Sequence, residues 1–425
     1  VIDPVRDPSQ YLAAAERRGL AITHVAETHL HADFVSGSRE LAAQGARVLA
    51  ARAGGIAFPH RALVDGEEVD LGGLQLRAIA TPGHTPEHLS YLLLDGGWPL
   101  ALFSGGSLLV GAVARTDLIA PERTDELARA LWRSLQQRIL PLPDDLAVYP
   151  THGAGSFCSA PAGGRRTTTI GAEKAANPLL AVADEDAFVE ALLAGLGTYP
   201  SYFLRLREVN RAGPVVYGSR MPALTPLAVA DVGRLIDEGA TLVDVRPIER
   251  FAAGHVPGSL SIELRPALAS WLGWLVDPER PLVFIVDPDM DRVDLVRQAL
   301  NVGYQLLAGE LAGGSDAWEA AGLSARQIPL VPAAQLGGAV LDVRQVAEFE
   351  AGHVPGAHHV ELGAVPSEIA ELDGGGSLTV MCGHGERAMT GASLLTRAGR
   401  TDVAVAVGGP DDWAAAHQLP LDTGR

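Results

Sequence analysis

Two groups of residues in this 425-residue chain have the types and spacing for chemistry. The first centres on Cys382, in the segment VMCGHGERAMT (380–390). A cysteine between an apolar strand and a Gly-rich turn into a helix faces loop N–H groups and the positive end of the helix dipole. Both favour the thiolate, the nucleophilic form. The spacing therefore predicts Cys382 and Arg387 as the catalytic pair, with Arg387 placed to hold an anionic donor. Gly383, His384, Gly385 and Glu386 form the predicted binding loop between them. The second group is histidines. His29, His31 and Asp33 alternate in THLHADF (28–34), His84 and His88 lie in TPGHTPEH (81–88), and His152 lies in YPTHGAGS (149–156). Alternate residues of extended chain share one side. Three His-bearing loops at strand ends are how a metal site is assembled.

The elements that must carry these residues follow from repetition and patterning. LVDVRPIERFAAGHVPG (242–258) returns as VLDVRQVAEFEAGHVPG (340–356), 98 residues later. One repeat of that length means two copies of a folding unit, not a solenoid. Each copy reads strand (TLVDVR, AVLDVR), helix, strand (PLVFIV, SLTVMC), helix and a final strand, which is the signature of an α/β fold with a parallel sheet. Where the second copy has its cysteine, the first reads VFIVDPDMDRV (283–293). Upstream, 21–27, 74–80, 88–95 and 99–105 read as strands. Residues 124–140 read as an amphipathic helix with Thr124 as N-cap, and another helix is expected around 184–210. The Gly/Pro-rich stretch 211–226 is the best linker, and a further boundary falls near 328–332. The expected domains are 1–213, 214–328 and 329–425.

Composition excludes several partners. The net charge is −18 without a basic cluster, which argues against nucleic acid and anionic membranes. Lys174 is the only lysine among 33 basic residues, an arginine bias read as genomic. No apolar run reaches the roughly 20 residues that span a bilayer. Cys158 and Cys382 fall in different expected domains, so a disulfide framework is excluded and a cytoplasmic location is expected.

The C-terminal half resembles the rhodanese family. The residues carrying the resemblance are the DVR entry strands, GHVPGA (352–357), the C-x-x-G-x-R loop (382–387) and GGPDDW (408–413). It implies a sulfurtransferase in which Cys382 accepts sulfane sulfur as a persulfide, with thiol persulfides, thiosulfate or sulfite as small-molecule partners. Asp342 and Arg344 resemble the family's structural pair, and the first copy resembles an inactive module whose acidic loop (287–291) needs a cation to hold an anion.

The N-terminal part resembles the metallo-β-lactamase fold, with its T-H-x-H-x-D-H motif, and within it the persulfide dioxygenases fused to rhodanese domains. ETHLHADFVSG (27–37), PGHTPEHLSY (82–91), THGAGSFC (151–158) and YPSYFLRLREVNRAGP (199–214) carry this likeness. It implies an αββα sandwich, homo-oligomers, and one ferrous iron on two His and one Asp, with zinc as second choice. By motif position the ligands are His29, His84 and an Asp where this chain has Gly106; His31, Asp33 and His152 are further candidates. Phe34 stands where binuclear hydrolases have a His, and the family's initial pair of strands is missing before 1–8. Four readings result. They are a sulfurtransferase working through Cys382 beside a degraded iron site, an active dioxygenase with a substitute ligand, a non-catalytic persulfide carrier or sensor, and a metal-dependent thioester hydrolase.

Overall fold

The computed structural model describes residues 1–152, 165–218, 220–372 and 376–424. The expected features at 153–158, Cys158 included, lie outside them. The chain divides into two compact units: Val1–Met221 with Leu300–Gly303, and Pro222–Ala299 with Tyr304–Arg425.

The first unit is an αββα sandwich. A three-stranded parallel sheet (His24–Ala26, Arg47–Ala51, Arg61–Leu63) faces a six-stranded mixed sheet that begins at Glu68–Asp70. Between them Ala26, Leu49, Ala51 and Leu63 meet Val69, Leu76, Ala78, Leu89 and Tyr91 in one core. The outer face of the large sheet packs Leu102 and Val148 against Ala128, Leu131 and Leu135, and against Phe188 and Leu192. Strand His24–Ala26 is an edge of its sheet, and the first residues cover it: Asp3 N–H donates to Ala26 O and Ala26 N–H to Val1 O, both at 2.9 Å.

Two helix predictions need correction. Helix Thr124–Ser134 begins at Thr124 itself, after a short turn at Pro121–Arg123, so the Thr124 hydroxyl caps nothing. A wider π turn, Leu135–Ile139, then finishes the 124–140 segment. The single helix expected at 184–210 is two, Glu185–Ala194 and Tyr202–Ala212. Gly195, Gly197 and Pro200 lie between them, and glycine and proline are the poorest helix residues. Asp184 caps the first of the pair by accepting Ala187 N–H at 3.0 Å.

The second unit carries the sequence repeat as two five-stranded parallel sheets of identical topology. The spatial orders are Pro226–Leu227, Leu307–Leu311, Leu282–Ile285, Thr241–Asp244, Leu260–Ser261, and Leu330–Pro332, Val403–Val407, Leu378–Met381, Ala339–Asp342, His358–His359. Leu282–Ile285 and Leu378–Met381 are buried at every position, as parallel strands covered on both faces must be. The repeated motif is architectural. Asp244 pairs with Arg246, and Asp342 with Arg344, with both carboxylates fully buried; each arginine also donates to a glycine carbonyl, Gly254 or Gly352. His255 stacks on Phe251 and His353 on Phe349, and each Nδ1 bonds the carbonyl of its phenylalanine at 3.0 Å. The histidines of GHVPG therefore hold helix ends in place. No helix among the described residues is long and apolar enough to cross a membrane.

Candidate functional site

The three His-bearing loops meet. His29, His84 and His152 are almost wholly buried, and each offers a ring nitrogen within 4.8 Å of the others. His29 follows the short strand His24–Ala26, His84 the strand Leu74–Ala80, and His152 the strand Ala147–Pro150. Each uses its Nδ1 elsewhere. His84 Nδ1 lies 2.7 Å from Arg115 O, His152 Nδ1 3.2 Å from Asp33 Oδ2, and His29 Nδ1 2.8 Å from Thr28 Oγ1. Thr28 Oγ1 in turn donates to Asp3 Oδ2 at 2.8 Å. The three Nε2 atoms have no hydrogen-bond partner among the described residues.

The other candidates have different surroundings. His31 Nε2 lies 3.2 Å from both Asp3 Oδ1 and Glu27 Oε2. Burial alone would lower its pKa, but Asp3 and Glu27 overcome this and lift it to about 10, so His31 is an imidazolium at neutral pH. Asp33 is held below the usual carboxylate range, because His152 more than reverses the effect of burial. Burial, reinforced by the neighbouring histidines, brings His84 down to about 3 and His29 well below its usual value, so both are neutral. His88 spends both nitrogens on structure: Nε2 accepts Gly106 N–H at 2.9 Å, and Nδ1 lies 2.8 Å from Thr81 Oγ1. His84 and His88 are alike in sequence and differ in Nε2, which accepts a hydrogen bond in His88 and none in His84 among the described residues.

Gly106 sits against this cluster with no space for a side chain. A Cβ there would lie 2.5 Å from His84 Cδ2 and 3.1 Å from Ala114 Cβ. Asp3, Glu27 and Arg115 entered the site without a sequence signal. Asp3 and Arg115 reach Thr28 and His84 across 25 and 31 residues, which leaves no local pattern, while Glu27 lies four residues from His31.

In the second unit, Cys382 directly follows the central strand Leu378–Met381 of its sheet and is buried. Gly385 N–H donates to its Sγ at 3.1 Å. Helix Glu386–Arg397 takes Glu386 and Arg387 into its first turn, where the motif predicts loop over 382–387. Gly409 backs the loop so closely that a Cβ would lie 2.8 Å from Gly383 O, which explains the second glycine of GGPDDW. Arg387 is held bidentately by Glu348, at 2.6 and 2.8 Å, and sequence reading missed that partner. The first copy also contributes: Ile248 Cδ1 would be 2.8 Å from a Cβ on Gly385, and Thr390 Oγ1 donates to Ser261 O at 2.7 Å. In that first copy the strand register puts Val286 at the place of Cys382, Asp287 opens the loop that follows, and Arg292 lies in the first turn of the next helix as Arg387 does. Arg292 donates to the carbonyls of Asp287, Pro288 and Met290, so this loop turns oxygen, not N–H, toward its arginine.

Residues 1–152 match the metallo-beta-lactamase superfamily, and 228–321 and 332–416 each match the rhodanese-like domain. The human protein named persulfide dioxygenase ETHE1, mitochondrial, is 30% identical over 190 residues, which cover 44% of this chain and 68% of that one. The chain belongs to the metallo-beta-lactamase superfamily. It joins that domain to two rhodanese-like domains. A hydroxyacylglutathione hydrolase of Rhizobium johnstonii is 32% identical over 200 residues, covering 41% of this chain and 74% of its own. A crystal structure of a metallo-beta-lactamase from Staphylococcus aureus subsp. aureus COL superposes with a TM-score of 0.65 at 29% identity, covering 73% of this chain and 91% of that one.

Proposed function

We propose that this superfamily member works in sulfane-sulfur metabolism, and that Cys382 is its sulfur-transfer nucleophile. The single observation that carries the reading is the Cys382 sulfur at the start of helix Glu386–Arg397, accepting Gly385 N–H at 3.1 Å. A helix N-terminus attracts anions, so this position suits the negatively charged donor and the outer sulfur of a persulfide. The name of the human relative, joined to two rhodanese-like domains, supports a thiol persulfide or thiosulfate as cargo.

The chemistry balances without an external redox partner. The Cys382 thiolate attacks the sulfane sulfur of thiosulfate, a new S–S bond forms, and sulfite leaves with the electron pair of the broken bond. An acceptor thiolate or cyanide then attacks the outer sulfur, and Cys382 departs as thiolate. Arg387 is the group we assign to the donor's negative charge, and it must share its guanidinium with Glu348 to do so. Val286, at the place of Cys382, has no sulfur to offer, so the first copy serves as a wall of the working loop through Ile248. We keep 1–213, 214–328 and 329–425 as the division of labour.

The iron site implied by the resemblance does not fit these residues. Position 106 supplies no carboxylate and has no room for one, so we route no step through iron. Thiocyanate formation from thiosulfate and cyanide tests the Cys382 reading. The wild-type chain should catalyse it, and Cys382→Ala should fall to background. A wild-type chain without transfer, or a substitution without effect, sinks the assignment.

A further inference from the structure

We propose that the hollow beside helix Ser38–Ala43 in the first unit binds a small amphiphilic anion, an aryl or medium-chain acyl body that ends in a carboxylate.

The hollow has a volume of about 620 Å3, within the roughly 300–1,000 Å3 of ordinary ligand sites. It lies between helix Ser38–Ala43, the start of strand Arg47–Ala51 and the turn that precedes strand Arg61–Leu63. The sequence makes the space. Ala42, Ala43 and Ala46 present only methyl groups, and Val48, Phe58 and Pro59 continue an apolar lining.

The polar groups around it are few and mostly of one kind. Among the described residues, none that lines the hollow carries a carboxylate, a hydroxyl or a side-chain amide, and three are arginines: Arg39, Arg47 and Arg61. Arg61 is balanced by Glu67 at 2.9 Å. Arg39 has only uncharged partners. Its Nη1 donates to the carbonyls of Gly213 and Pro214, at 3.1 and 2.5 Å, and its guanidinium lies 5.5 Å from the centre of the Phe58 ring. These contacts fix its position and leave its charge. The adjacent carboxylate, Glu40, is taken by Arg6 at 3.1 Å. Arg47 is exposed at the start of its strand and enters no ion pair among the described residues. Its field reaches His24, whose pKa is lowered by burial first and by Arg47 next. The rim thus keeps two unbalanced positive charges on a chain of net charge −18.

Walls and rim together choose the ligand. An apolar body leaves water against the alanines and Phe58, and an unpaired guanidinium gains a charge-assisted hydrogen bond from a carboxylate. A nucleotide fits poorly, because its sugar and base edges lose their water partners against walls without hydroxyls or amides. A second copy of this chain also fits poorly, since two strongly acidic molecules repel. This inference is independent of sulfur transfer at Cys382, and the two fail separately.

The test titrates the full chain with octanoate, read by displacement of the fluorescent aryl anion anilinonaphthalene sulfonate. We expect one saturable site that both probes share and that weakens as salt is added. Arg47→Glu should weaken octanoate about 10-fold. Ala43→Trp, which fills the hollow from an exposed position, should weaken it by a like factor. Both variants should keep the wild-type circular dichroism. Octanol and adenosine monophosphate should each bind about 10-fold more weakly than octanoate. Binding indifferent to both substitutions, a preference for octanol or the nucleotide, or no saturable binding, whether or not sedimentation shows a dimer, overturns the proposal.

Discussion

Replacing Gly106 with alanine asks whether the packing against His84 is as tight as its geometry implies. The added Cβ would lie 2.5 Å from His84 Cδ2, 2.9 Å from Cγ and 3.1 Å from Ala114 Cβ. Relief is blocked on each side. The His84 ring is tied to Arg115 O at 2.7 Å, so swinging it away breaks that bond. The Gly106 backbone is tied by its N–H to His88 Nε2 at 2.9 Å and by its carbonyl to Ala114 N–H at 3.0 Å. Overpacking of this kind costs about 1–3 kcal/mol, and a lost hydrogen bond about 1 more. For a unit of this size each kcal/mol moves the midpoint by about 2–4 °C, so the shift is on the order of 5–15 °C. Scanning calorimetry of the full chain is the assay, because it separates the transitions of a multidomain protein. Gly197→Ala is the matched control, since a Cβ there meets nothing within 4 Å. The reasoning is refuted if both variants melt alike. An aspartate at 106 begins with the same Cβ, so it meets the same obstacle.

Two other outcomes follow from the second unit. Glu348→Gln should lower the KM for thiosulfate about 2–5-fold by loosening the hold on Arg387, while retaining the Gln345 capping box that a glutamine also completes; a higher KM would make the pair a structural tie. Burial, partly opposed by the Phe251 carbonyl, lowers His255 to about 4. The folded state thus binds fewer protons than the unfolded one, so the His255 contribution to stability is present above about pH 6.5 and is lost as pH falls towards 4, at most about 3 kcal/mol. Denaturation midpoints at pH 7 and pH 4 should diverge less in His255→Gln than in the wild type, and equal pH slopes would contradict this.

Much of this molecule is legible in its sequence because repetition and strand periodicity are local signals. Leu74–Ala80 has the bounds its pattern predicts, and the 98-residue repeat becomes two sheets of one topology. The His-bearing loops converge as expected. What stayed hidden is long-range. Nothing adjacent in sequence separates His84, with a bare Nε2, from His88, whose nitrogens are both used. Asp3 reaches Thr28 across 25 residues, and Glu348 reaches Arg387 across 39. Such pairings depend on which loops the sheets bring together, and composition does not encode that.

The shared topology of the two C-terminal sheets also bears on how the chain reaches its native state. The central entry strands, Thr241–Asp244 and Ala339–Asp342, carry nearly the same residues and pair with neighbours in the same parallel order. During folding each is an acceptable partner for strands of the wrong copy, and tandem copies misassemble by such exchange. Parallel pairing is slow because its contacts are distant in sequence, which lengthens the exposure of those edges. The divergence between the copies, at Val286 against Cys382 and in the loops that follow, therefore bears on folding as well. It makes the wrong pairing a poorer fit than the right one.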